Sequence, residues 1–512
     1  MPFKKSFLVY LLFVFGCLGA FAQGQGPRIV YSEPEREDSR RTSFEIIGKL
    51  NGNFLVYKSN RSDDAICIYD GDMKLKERVK LDFTPDQLIN VDFVAYPDFF
   101  FMIYQYQKKG IVHCAAAKLD PNARKMMEPV ELDTTQIGWS SGNKIYTTIN
   151  SDDKQRIMVF KINSKNSKNF VFTTMLYNAN LELLDRHRMN MPMEERNDFF
   201  TDFLLTNDGE LVFGKCLRQS YNEYVTKMSL VMKYPDSSNF SIGEVETGGR
   251  VLDEVKVKVD NTNKRILLSA FYYKQKRGNI EGLYSVIWDK QSNRKVREFA
   301  NVFSDDLRAN AKSTDGSVKM AFNDFFIKNI IIRRDGGYLL ISEAEYTTSR
   351  GGGFNRWDYM WGGNPWISPM DYYYWSPYSS WGSPWNRWNT GSITRYHAEN
   401  IMVLSYSAEG NVEWSNVIPK SQFDDESDNM VSFQIMNTGG EIHFLFNAFE
   451  RRVLMLNDQS LSAEGKITRN PTLKNLDKGY EFMARYGKQV SARQMIMPCL
   501  YRNYLCMAKI DF

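Results

Sequence analysis

The residues with the widest chemical reach in this chain are its four histidines, His113, His187, His397 and His443. None has a second histidine or a cysteine at i+2 or i+4, so a metal would have to gather them from four separate stretches of chain. His113 and His443 sit inside apolar runs and read as strand residues with local hydrogen bonds. Clustered carboxylates occur at Asp424-Asp425-Glu426-Ser427-Asp428. The cluster lacks the spaced D-x-[DN]-x-[DN]-G order of a calcium loop and reads as a solvated loop, as does Asp305-Asp306. A carboxylate pair for glycoside hydrolysis need only meet in space. With 61 acidic residues, sequence alone singles out no such pair. H-E-x-x-H and P-loop motifs do not occur. No catalytic residue, metal site or cofactor is therefore expected.

The stretch Arg350 to Asn389 has a different chemistry. It reads RGGGFNRWDYMWGGNPWISPMDYYYWSPYSSWGSPWNRWN and holds seven of the ten tryptophans. These are Trp357, Trp361, Trp366, Trp375, Trp381, Trp385 and Trp388, with Tyr372, Tyr373 and Tyr374 among them. Repeated glycine and proline rule out a long helix or strand. Three readings suit such a segment. It is a plug that buries its own rings, a protein interface of the aromatic kind that dominates binding hot spots, or a platform whose flat rings stack on sugars. Soluble proteins rarely leave so large an apolar patch without a partner. The ten rings are accordingly the candidate binding residues. The flanks, YLLISEAEY and AENIMVLSYS, alternate as strands do.

The start of the chain predicts export. Lys4 and Lys5 precede the apolar run Phe7 to Phe15, and Ala20-Phe21-Ala22 forms a cleavage box before Gln23, so residues 1–22 read as a signal peptide. Lipidation at Cys17 is the rival reading, weakened by the bulky Phe15. No stretch of about 20 apolar residues follows, so no transmembrane span is expected. The expected location is the periplasm, the cell surface or the medium, with peripheral membrane association compatible. Without the leader, basic residues number 63 against 61 acidic ones, which gives no reason to expect nucleic acid as a partner. Five cysteines remain, with no CxxC, so neither a disulfide framework nor a zinc ribbon is indicated. If Arg502-Asn503 is a two-residue hairpin turn, Cys499 and Cys506 face each other at a spacing a disulfide can bridge. Two packed thiols are the favoured state, and the disulfide the alternative.

After a polar lead-in (23–42) that contains one short strand candidate, Arg28 to Tyr31, apolar runs of four to nine residues recur to the C-terminus. Gly, Asn, Asp and Pro punctuate them. One kind of turn precedes the most apolar run of each group, at Gly52, Asp98, Asp152, Asp208, Thr262, Gly336, Gly439 and Gly487. Most intervals lie near 50 residues, and the longest contains the aromatic insertion at 350–390. A second turn recurs later in most groups, as at YNANLE and YSAEGN. Two hairpins per period predict an all-β chain of four-stranded blades. The expected fold is a β-propeller over 43–512, with about eight blades, alternatively seven. Arg28 to Tyr31 would complete the short last blade.

On this period and strand grammar the chain resembles secreted bacterial β-propeller-like repeat proteins. It lacks the Gly-His to Trp-Asp pairs, aspartate boxes and kelch glycines of the familiar blade types. The resemblance implies a rigid exported scaffold. The function expected is a non-catalytic binding or scaffold module of the cell envelope, whose partner is an envelope protein or a glycan. The alternative is a glycan-binding or carbohydrate-active propeller protein.

Overall fold

A computed structural model describes residues 27–35, 43–60, 63–137, 144–166, 169–193, 198–218, 224–276, 278–312, 317–349, 394–425, 428–450, 453–471, 473 and 479–512. The predicted leader and the aromatic insertion lie outside the described residues. Strands dominate what is described, and every strand pairing is antiparallel. Among the described residues no helix is long and apolar enough to cross a membrane.

The strands form up-and-down meanders of four. The first sheet runs Ser43–Leu50, Asn53–Asn60, Asp63–Tyr69 and Leu75–Lys80, in that spatial order. Two further four-stranded sheets follow, over 90–136 and 146–192. A nine-stranded sheet comes next. It consists of two meanders, 198–245 and 256–302, joined by the short strand Val251–Leu252, which pairs with both. The sheets over 325–418 and 433–469 come after it. The last sheet pairs Gln494–Tyr501 with Tyr504–Asp511, and its outer strand is Arg28–Tyr31 from the other end of the chain. Arg28 lies opposite Asp511 and Tyr31 opposite Ala508.

Side-chain alternation explains why these sheets stack. In the strand Arg265–Tyr273, Ile266, Leu268, Ala270 and Tyr272 enter a core shared with the preceding meander. Leu267, Phe271 and Tyr273 point the other way, into a core shared with the following one. A strand buried on both faces reads as a continuous apolar run, and RILLSAFYY is one. Eight such cores exist among the described residues, each shared by two meanders consecutive in the chain. The exception in order is the core that unites Phe54, Val56 and Cys67 of the first sheet with Ile496, Leu505 and Met507 of the last.

Two latches between neighbouring sheets repeat. Gly410, at φ +87, sits where an added Cβ would meet the Phe299 ring at 2.3 Å, and the Asn301 side chain donates to its carbonyl at 3.0 Å. Fifty-five positions on, Gly465 at φ +83 faces Trp414 at 2.6 Å and accepts from Asn416. Each latch is an aromatic-x-Asn on the outer strand of one sheet, closed on a turn glycine of the next. Only glycine fits, because the conformation and the ring both exclude a side chain.

The turn positions predicted from Gly52 to Gly439 all fall between first and second strands. Gly487 does not. It ends the 3-10 turn Ala484–Tyr486 and precedes the strand Lys488–Ser491, so the equivalent turn lies at Ala492-Arg493. Asp305-Asp306 is also no solvated loop. It opens the helix Asp305–Ala311, whose N-cap Ser304 accepts from the Leu307 amide, and acids in the first turn suit the positive helix end.

Candidate functional site

Two strands outgrow their sheet. Tyr338–Ser349 has 12 residues and Thr394–Tyr406 has 13, against 8 and 7 for the strands beside them. Past Ala344, where the first strand of the sheet stops pairing, they continue as a ribbon: Glu345 opposite Ala398, Tyr346 opposite His397, Thr348 opposite Arg395. The short strand Gln422–Asp424 adds to one edge. This ribbon is the stem from which residues 350–393 depart. Trp357, Trp361, Trp366, Tyr372, Tyr373, Tyr374, Trp375, Trp381, Trp385 and Trp388 themselves lie outside the described residues.

The stem carries a ladder of rings and charges. Tyr346 and His397 stack at 4.4 Å with planes 10° apart, and Thr348 Oγ1 lies 3.1 Å from His397 Nε2. Burial lowers the His397 pKa, so the neutral imidazole is favoured. Arg395 lies over the Phe423 ring at 4.4 Å and meets Asp425 with two hydrogen bonds, at 2.5 and 3.0 Å. Phe423 is half exposed.

Beneath the stem lies a buried charge network. Glu343 and Glu345, two apart on one strand, are 0% and 2% exposed. Lys420 Nζ sits 2.6 Å from Glu343, and Ser432 Oγ donates to the other carboxylate oxygen at 2.5 Å. Glu345 is held by Lys328 and, at 3.1 Å, by Arg485, which also pairs with Asp428 at 2.5 Å. Asp428 was expected in a solvated loop; it is 8% exposed, because Arg485 from the last sheet reaches it. Asp425 is the exposed member of that cluster, while Glu426 and Ser427 lie outside the described residues. Burial raises the Glu343 pKa against the pull of Lys420. Burial pushes Glu345 up as well, but Lys328 and Arg485 outweigh it and hold the carboxyl low. Carboxyls driven apart in this way serve as acid and base in hydrolases. Here the carboxylates are paired with Lys420, Lys328 and Arg485, and through Ser432 and Arg485 the network ties the stem to the start of the following sheet and to the last sheet.

A second polar group lies on the first strands. Lys144 pairs with Asp92 at 3.2 Å, and Lys488 donates to the Ile46 carbonyl at 2.8 Å. Glu45 is close enough to Lys488, Asp92 and Lys144 to feel all three charges, yet burial dominates and raises its pKa to about 8.

The four histidines lie in four different sheets, each with its own local partner. His113 contacts Glu131 at 2.7 Å, His187 contacts Asp185 at 2.8 Å, and His443 contacts Asp458 at 3.0 Å. Among the described residues no cluster of three metal-ligating side chains forms. Gly138-Trp139-Ser140-Ser141-Gly142 has the G-x-S-x-G spacing of a nucleophile motif. It lies outside the described residues, between the strands Val130–Gln136 and Tyr146–Asn150. A nucleophile elbow needs a strand before it and a helix after it. Cys499 and Cys506 are both buried and lie directly opposite each other. The signal for Glu343 and Glu345 was present in the sequence as E-A-E inside an apolar strand, two charges on one inward face.

No family model matches the chain, and no curated protein does. Solved structures do show likeness. A polysaccharide lyase of a new family, an ulvan lyase, is 10% identical, with 81% of this chain and 90% of that chain covered at a TM-score of 0.37. A protein of unknown function from Bacteroides caccae is 13% identical, covering 74% and 94% at 0.27. Prolyl oligopeptidase B from Galerina marginata is 8% identical, covering 91% of this chain and 56% of that one at 0.41. The likeness is one of architecture, with no named family, and these proteins' activities do not transfer to this chain.

Proposed function

We propose that the chain is an exported β-propeller of eight blades that serves as a binding or scaffold module of the cell envelope and recognises its partner through the aromatic segment. The ring is supported by the cyclic order of the shared cores, last sheet against first, and by the N-terminal strand on the final sheet. Closure of this kind leaves only short edges. Turns from alternate meanders also meet, since Asn261 donates to Asp152 at 2.7 Å.

The observation that carries the functional reading is the stem. Two strands are extended beyond their sheet, and buried ion pairs fix their base, to present residues 350–393. Added loops on a rigid scaffold are where binding is usually placed. The segment 354–388 contains neither lysine nor glutamate, which matches the composition of interface cores.

The test replaces residues 354–388 by a short Gly-Ser linker. Partners captured from envelope extract by the intact protein are purified and rebound, and a panel of envelope polysaccharides is assayed in parallel. The expected outcome is an unchanged melting transition with partner binding lost. Rebinding of a polysaccharide alone would favour the glycan-directed reading, which rests on the stacking capacity of the same rings. Unfolding or aggregation of the shortened chain would make the segment a structural plug and overturn recognition through it.

A further inference from the structure

The last hairpin turns at Arg502-Asn503, both left-handed at φ 49° and 68°, the pairing that a two-residue I′ turn requires. That turn fixes the register, so Leu500 faces Leu505 and Cys499 faces Cys506. Directly opposed residues of an antiparallel pair lie about 4.5–5.5 Å apart at Cα, inside the range a disulfide spans. The two sulfurs are 3.2 Å apart, each thiol also directed at the other residue's carbonyl, at 3.5 and 3.4 Å. Backbone register and side-chain rotamers therefore both bring the sulfurs together.

We infer that Cys499 and Cys506 are a disulfide-forming pair, closed when the chain folds in an oxidising medium and carried within the final hairpin. The second strand of this hairpin also holds Arg28–Tyr31, so the covalent link would sit where the two ends of the chain meet. The chemistry is thiol–disulfide exchange with a disulfide oxidant such as oxidised glutathione. One cysteine thiolate attacks the oxidant, forming a mixed disulfide and releasing one oxidant thiol. The second thiolate attacks the protein sulfur of that intermediate and releases the other. Two electrons and two protons leave the protein, and the oxidant is reduced to two thiols.

Timing follows from burial. Both side chains are 0% exposed in the folded chain, and burial drives the Cys499 thiol well above its usual range. A thiol so placed is inert, since the thiolate is the reacting form. Oxidation belongs to the folding chain, before the hairpin is covered, and the closed bond would then resist reductants. The other three buried cysteines lack this arrangement: Cys67 faces Val56 and Arg78 in its sheet, Cys114 faces Asp133 and Gln105, and Cys216 faces Phe199 and Met228.

The test refolds reduced, denatured full-length protein with oxidised or with reduced glutathione, then unfolds it and alkylates free thiols for mass spectrometry. Oxidative refolding is expected to leave two fewer alkylated cysteines and a Cys499–Cys506 linked peptide, absent from Cys499→Ser and Cys506→Ser. Full alkylation under both conditions, or a linked peptide involving any other cysteine, overturns the inference. The inference leans on export for its setting, which a second sample separates. Protein recovered from cells with these thiols reduced, but oxidised on refolding, upholds the pair and counts against export.

Discussion

The guanidinium of Arg485 donates to the carboxylate of Glu345 at 3.1 Å, across 140 positions of sequence. It also holds Asp428 at 2.5 Å, so one cation from the last sheet's segment ties down both a stem strand and the connection that follows Gln422–Asp424. Arg485→Met would leave Asp428 without that cation and Glu345 with Lys328 alone. A loss of about 3 kcal/mol is expected, the usual cost of breaking a buried ion pair from one side. Urea unfolding measures it, and a loss below about 0.5 kcal/mol would place the contact among the weak surface pairs.

Glu45 predicts a pH dependence. Its carboxyl is raised from 4.5 to about 8 on folding, chiefly by burial. The folded chain then binds more protons than the unfolded one between those values. This contribution is fully present below pH 4.5 and is lost as pH rises through about 8. Glu45→Gln removes the dependence, so the variant should gain on the parent as pH rises, by at most about 1.4 kcal/mol per pH unit. Melting curves from pH 5 to 9 would show a widening gap. A constant gap would mean that Glu45 titrates alike in both states.

Deletion of Pro27 to Tyr31 should lower the melting temperature in a single cooperative transition. The deleted strand covers the edge of the last sheet, and Tyr31 stacks on Tyr480 at 4.0 Å. Differential scanning calorimetry reads the change. An unchanged midpoint would show that this strand does not close the fold.

The glycine latches give a coupled prediction. Gly410→Ala forces a Cβ into the Phe299 ring from a left-handed backbone and should cost about 1–3 kcal/mol. Phe299→Ala in the same chain relieves the collision, so the double variant should lose less than the sum of the two singles. Strict additivity would show that backbone strain alone sets the cost.

Single truncations within the aromatic segment should be graded. Trp375→Ala, Trp381→Ala or Trp385→Ala is expected to weaken partner binding by more than about 2 kcal/mol where the ring is an anchor, with melting unchanged. Titration calorimetry with the purified partner distinguishes anchors from neutral contacts. Equal, small losses at all three positions would remove the hot-spot account.

Much of the architecture is legible in the chain because strand physics is local. Runs such as RILLSAFYY, bounded by turn residues every 50 or so positions, define second strands whose two faces must both be covered, and a meander of four is the unit that repeats. The turn Arg502-Asn503 is equally local, and it alone sets the register that places Cys499 opposite Cys506. The alternation of YLLISEAEY likewise marks a strand, with two charges aimed inward.

What the sequence leaves open is whatever depends on partners far along the chain. The charges at Glu343, Glu345 and Asp428 look like ordinary polar residues until Lys328 from the neighbouring strand, Lys420 from a later turn of the same sheet and Arg485 from the last sheet neutralise them. The helix at Asp305 was hidden for the opposite reason, since seven residues are too few to show a period. The short last group already suggests Arg28–Tyr31 as its completing strand, but its register, with Arg28 opposite Asp511, is fixed only by contact between the chain ends. Period and alternation belong to neighbouring residues and survive in one dimension. Ion pairing and edge closure are decided by distances in space.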